Sequence, residues 1–192
     1  YPEQPLSVSE YGAGGATTMH TDNVLGGPVA ATGQHQPEEY MSYVHEVNWS
    51  ILAAKPYLWA TWIWNGFDFA TTTRVEGDSI DINTKGLITY DRSIKKDSYY
   101  FYQANWSEQP MVHITSKRYA RRAYQVTPVK VYSNLPEVEL FVNEQSLGVK
   151  SDCAMNVCLW PEVELAAGEN VLEAKGTGAS QNISDRAQWH LS

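Results

Sequence analysis

The chain has 192 residues, 43% hydrophobic and 19% charged, with a net charge of −8. That composition is ordinary for a globular protein and suits one large domain or two small ones. Its acidity argues against nucleic acid or an anionic membrane as partner; residues 1–112 carry −7 of it and residues 113–192 carry −1. No run approaches the ~20 apolar residues of a membrane span. Tyr1-Pro2-Glu3-Gln4-Pro5 is neither a Met start nor a signal peptide, so the chain reads as the tail of something longer.

Leu6 to Tyr11 alternates as a strand does, with Leu6, Val8 and Glu10 on one face and Ser7, Ser9 and Tyr11 on the other. Gly12, Gly14 and Gly15 end it, leaving Glu10 at a strand end beside a flexible loop, which is where a (β/α) barrel keeps its chemistry. Residues 12–37 read as one long loop, and long loops at strand ends are usually functional. His20, Asp22 and His35 lie in it and read as solvated side chains rather than a metal site.

Pro37 suits a first helical position, and Glu38 and Glu39 favour the positive end of the helix dipole. Tyr40, Val44, Val47 and Ile51, with Met41 and Leu52, form an apolar stripe at helical spacing. His45 falls inside that helix as a structural residue, and Lys55-Pro56 ends it. Residues 57–69 are apolar on both faces, as in a parallel strand buried on both sides. Residues 6–69 thus form one strand–loop–helix–strand unit. Residues 70–83, with Arg74, Glu76, Asp78 and Asp81, read as a polar loop, and Tyr99 to Trp106 as a helix.

Gln109-Pro110 marks a change. From Val112 the period becomes two, with short strands over 129–132, 138–142, 145–149, 157–165, 171–174 and 187–191. Such spacing predicts a β-sandwich of immunoglobulin type. Cys153 and Cys158, the only cysteines, either bridge a hairpin loop, which favours a periplasmic or secreted setting, or remain two free thiols.

Four stretches in order carry a family resemblance: Leu6–Gly14; Trp62-Ile63-Trp64-Asn65-Gly66-Phe67-Asp68-Phe69; Asn83-Thr84-Lys85-Gly86-Leu87-Ile88-Thr89-Tyr90-Asp91-Arg92; and Lys96 to Trp106. Together they resemble the end of the catalytic domain in glycoside hydrolase family 2, over residues 5 to about 112. The resemblance implies that residues 1–112 are the last two strand–helix units of a (β/α)8 TIM barrel. Residues 113–192 would then be an immunoglobulin-like β-sandwich.

It implies a retaining mechanism with Glu10 as nucleophile and the acid/base Glu outside this chain, on a fourth strand that is absent here. Asn143-Glu144 sits in a sandwich hairpin and is no substitute. Trp64 would line the sugar subsite. Asn83 and Lys85 match an Asn-x-Lys pattern that binds the sugar carboxylate in β-glucuronidases. Asp68 would order the strand end.

The tail Phe101 to Ser107 followed by a sandwich points to a β-galactosidase, with a β-glucuronidase as the alternative inside the family. A non-catalytic carbohydrate-binding or structural β module is the alternative outside it. The resemblance requires no cofactor and assigns no metal. It leaves a homo-oligomer open and makes the N-terminal remainder of the same enzyme, with a carbohydrate substrate, the expected partners.

Overall fold

The computed structural model describes residues 4–26, 33–178 and 183–192. Two compact units divide the chain, Tyr1–Tyr99 and Tyr100–Ser192. Among the described residues no helix is long and apolar enough to cross a membrane.

In the first unit β1 (Leu6–Tyr11) and β2 (Leu58–Ile63) pair in parallel, with Leu6 opposite Leu58 and Tyr11 opposite Ile63. The crossover between them contains α1 (Glu38–Ala53), which follows Pro37 and carries Glu38 and Glu39 in its first turn. The expected strand–loop–helix–strand order is therefore present; residues 27–32 of the expected loop lie outside the described residues.

Two details differ from the sequence reading. The buried face of α1 is Glu38, Met41, Ser42 and His45, while Ile51 is half exposed. β2 is not buried on both sides in this chain: Trp59 is 65% and Trp62 48% exposed. Their side chains point to the faces of the sheet, and a sheet of two strands gives those faces little cover.

Residues 70–83 are not a loop. They form an antiparallel hairpin of β3 (Phe69–Glu76) and β4 (Ser79–Asn83), with Phe69 opposite Asn83 and Glu76 opposite Ser79. Thr71-Thr72-Thr73, Val75, Ile80 and Ile82 supply the β-branched residues that a pleated strand favours. Gly77, at φ +60°, makes the turn, and a Cβ there would come within 2.7 Å of the Ala16 Cβ. The pairing shifts between Ala70 and Val75, so the strand bulges at residues 71–74.

Helix α2 (Asp97–Trp106) carries the chain from the first unit into the second. The units part at Tyr99/Tyr100, upstream of the expected division at 112/113. Aromatic packing explains the shift: the Tyr100 ring stacks on His113 at 3.7 Å between centroids, and buried Phe101 meets Tyr132 edge-on at 5.5 Å.

After α2 the described elements of the second unit are β-strands, with one 3-10 turn at Ala154–Asn156. β5 (Val112–Ile114), β7 (Val126–Ser133) and β10 (Val157–Glu164) form one sheet, in the order β10-β7-β5. β6 (Arg121–Arg122), β8 (Glu137–Val142), β9 (Gln145–Ser151), β11 (Gly168–Thr177) and β12 (Ile183–Leu191) form the other, in the order β6-β12-β11-β8-β9. Val129, Val131, Cys158 and Trp160 from the first sheet share one core with Val138, Leu140, Leu172, Ala174 and Trp189 from the second. Alternation of buried and exposed residues along β7, β8 and β11 is the period of two read from the sequence.

Asn143 and Glu144 are the two turn residues between β8 and β9, both with positive φ, as a tight hairpin requires. Cys153 and Cys158 form a disulfide, with Cα atoms 5.0 Å apart.

Candidate active site

Glu10, Trp64, Asn83 and Lys85, four positions spread over 76 residues of sequence, line a single cleft of about 550 Å³ in the first unit. Tyr11, Gly12, Phe69, Thr71, Thr73 and Arg74 complete its wall. Parallel pairing sets the first contact: Trp64 N–H donates to the Tyr11 carbonyl (2.8 Å), which brings the residue after β2 beside the end of β1. Gly12 permits it, since a Cβ there would lie 2.3 Å from the Trp64 carbonyl oxygen. The Trp64–Asn65 peptide is cis. The Trp64 ring stands edge-on to Phe69 at 5.8 Å and stays 40% exposed. Glu10 is exposed and, among the described residues, is the only carboxylate on the cleft wall.

The Asn83–Lys85 segment is held from several sides. The Asn83 side-chain oxygen accepts from Lys85 N–H (3.0 Å). Gly15 N–H donates to the Thr84 carbonyl (3.1 Å), and the Thr84 hydroxyl donates to buried Gln36 (2.8 Å). Asn65 N–H donates to the Lys85 carbonyl (3.1 Å), and Leu87 N–H returns to the Asn65 carbonyl (3.0 Å).

Beneath the turn, Asp68 accepts from Gly86 N–H (2.8 Å) and from Lys96 Nζ (2.9 Å). Lys96 also donates to the Thr84 carbonyl (2.8 Å). Burial raises the Asp68 pKa and lowers that of Lys96, while their mutual attraction opposes both shifts. Asp68 thus pins the turn after β4 and is absent from the cleft wall.

Sequence reasoning missed Arg74 and Glu76, which it placed in a solvated loop. Glu76 is 1% exposed and accepts from Arg74 Nη1 and from Lys85 Nζ (3.3 Å). The available signal was the run of β-branched residues around an Arg-x-Glu spaced to share one strand face. His20 pairs instead with Glu39 of α1 (3.0 Å) and His35 is exposed. Among the described residues no group of three or more His, Cys, Asp or Glu is placed to hold a metal ion.

His45 of α1, fully buried near Tyr11, has a pKa lowered from 6.5 to about 3 by burial and by the nearby Lys96 charge. The folded value is the depressed one, so the unfolded chain takes up the proton first. The resulting stability is complete above pH 6.5 and is lost as pH falls toward 3. In the complete protein the unfolding free energy from urea titration is expected to fall between pH 6.5 and 4, by at most ~1.4 kcal/mol per pH unit from this residue. His45→Gln should flatten the slope by that share. Equal slopes in the two proteins would show that His45 does not titrate this way.

Comparison with known proteins places these features. Residues 124–183 match a domain of unknown function, DUF4982. A β-glucuronidase of Bacteroides fragilis is 40% identical over 93% of this chain and 26% of its own length. The β-galactosidase BoGH2A of Bacteroides ovatus is 25% identical over 70% of this chain and 16% of its own length. The crystal structure of an FMN-binding β-glucuronidase from Faecalibacterium prausnitzii superposes on the whole chain with a TM-score of 0.85 at 37% identity, covering 28% of that protein. The chain thus spans about a quarter of that β-glucuronidase and less of the galactosidase. Its homologues are glycosidases of the β-glucuronidase and β-galactosidase group, and β-glucuronidase is the name that recurs among them.

Proposed function

We propose that this chain is the C-terminal part of a family 2 retaining glycoside hydrolase acting on β-glucuronides. In this reading β1 and β2 are the last two strands of a (β/α)8 barrel and the second unit is an immunoglobulin-like sandwich. The rest of the barrel, carrying the acid/base Glu, belongs to the N-terminal remainder of the same enzyme. One observation carries the proposal: the carboxylate of Glu10 and the Asn83/Lys85 pair line the same cleft.

That arrangement supports double displacement. Glu10, on the cleft wall, attacks the anomeric carbon and forms a glycosyl ester while the acid outside this chain protonates the leaving oxygen. The same group then activates the water that hydrolyses the ester. Trp64 offers an apolar platform to the sugar ring. Asn83 and Lys85 present an amide and an ammonium to a C6 carboxylate, the group that distinguishes a glucuronide from a galactoside.

The expectation of a β-galactosidase gives way here for two reasons. Glucuronidases recur among the relatives, and the cleft wall adds Arg74 as a second cation beside Lys85. Two cations favour a carboxylate-bearing sugar over a neutral one, because charge-assisted hydrogen bonds are the stronger ones.

Lys85→Ala in the complete enzyme tests the reading. A hydrogen bond to a charged group contributes ~1.5–3 kcal/mol, so kcat/KM for an aryl β-glucuronide is expected to fall ~10–100-fold. Unchanged glucuronide turnover, or a wild-type preference for the galactoside, would refute it.

A further inference from the structure

The cations of the cleft are not held by the cleft. Both end on the carboxylate of Glu76, the last residue of β3, which is itself buried and absent from the cleft wall. Glu76 Oε1 accepts from Arg74 Nη1 and Lys85 Nζ; Oε2 accepts from Thr84 N–H at 3.4 Å. Thr84 is the middle residue of Asn83-Thr84-Lys85. One carboxylate therefore touches the motif's backbone, its lysine head and a neighbouring arginine.

We infer that Glu76 is a positioning residue that presets Lys85 and Arg74 to receive a single carboxylate of the substrate; this rests on the glucuronidase reading above. Two physical arguments lead there. Lysine and arginine side chains are rich in rotamers, and a group already fixed in the free enzyme loses less of that freedom on binding. Locally the charges also suit a monoanion: apart from Glu10 on the same wall, two cations against buried Glu76 leave one positive charge, and Arg74 and Lys85 keep 36% and 18% of their side-chain surface.

The turn of the hairpin does not need this carboxylate. Backbone pairing of Val75 with Ile80 and of Glu76 with Ser79, and Gly77 at positive φ, close it already. Substituting the side chain therefore addresses the cations rather than the turn.

The test is a mutant cycle in the complete enzyme, read as kcat and KM for an aryl β-glucuronide. Glu76→Gln is expected to lower kcat/KM roughly 10-fold, mostly through KM, in the otherwise wild-type protein. In an Arg74→Ala/Lys85→Ala background the same change is expected to cost less than about 2-fold, because its targets are gone. An equal loss in both backgrounds, or no loss in either, overturns the inference. Should Glu76→Gln fail to fold, the cycle is run with Glu76→Asp, whose carboxylate falls one methylene short, with the same two outcomes. A wild-type enzyme that cleaves no β-glucuronide refutes the underlying reading as well, whereas glucuronide cleavage indifferent to Glu76 refutes this inference alone.

Discussion

Replacing Glu10 with Gln in the complete enzyme is expected to lower kcat on an aryl β-glucuronide by at least ~10⁴-fold while leaving the fold intact. An amide cannot form the glycosyl ester, and losing a nucleophile removes the covalent route altogether. The fold should survive because Glu10 is exposed at the end of β1, and exposed substitutions usually cost within about 0.5 kcal/mol. Its neighbours are set by backbone bonds, such as Trp64 N–H to the Tyr11 carbonyl, that the substitution does not touch. Paired measurements of kcat and of the urea midpoint check both halves. Near-normal hydrolysis by a folded variant would put the nucleophile elsewhere.

Lys96→Ala should have the largest effect on stability, about 3–5 kcal/mol. Its ammonium is 1% exposed and satisfies Asp68 and the Thr84 carbonyl together. Removing it leaves the buried Asp68 carboxylate with Gly86 N–H as its remaining hydrogen-bond donor among those described, far from enough to replace water. A double variant, Lys96→Met with Asp68→Asn, removes both charges and is expected to recover much of the loss. Equal unfolding midpoints for Lys96→Ala and the double variant would mean that the uncompensated charge is not the cause. Since Lys96 also supports the turn that carries Lys85, KM for the glucuronide should rise in whatever fraction of Lys96→Ala still folds.

The sequence made the site legible wherever chemistry and local pattern agree. Glu10 stood out because alternation ran straight into glycines, and β1, α1 and β2 followed at the spacing of one parallel unit. The strands of the second unit were readable because buried and exposed residues alternate along β8 and β11 and through most of β7. Convergence of Glu10, Trp64, Asn83 and Lys85 on one cleft is the structural counterpart of motifs recognised separately.

The β3–β4 hairpin was hidden because its charged residues make a strand look like a loop. Glu76 is buried only by virtue of two cations, one of them nine residues downstream, and no local window contains that pairing. The end of the first unit was hidden too: Tyr100 and Phe101 belong to a helix by pattern, yet they pack on His113 and Tyr132. The tail of α2, from which the sequence points to a galactoside, supplies no residue to the described cleft wall. Arg74 and Lys85, which do line it, favour a carboxylate-bearing sugar.

Covalent trapping tests the central claim most directly. The complete enzyme would be incubated with a carboxylate-bearing cyclitol epoxide or aziridine of β-glucuronide configuration, digested, and mapped by mass spectrometry. One adduct per chain, on Glu10, formed more slowly when Lys85 is replaced by Ala, is the predicted result. An adduct on any other carboxylate, or labelling only by the uncharged galactose-configured reagent, would contradict it.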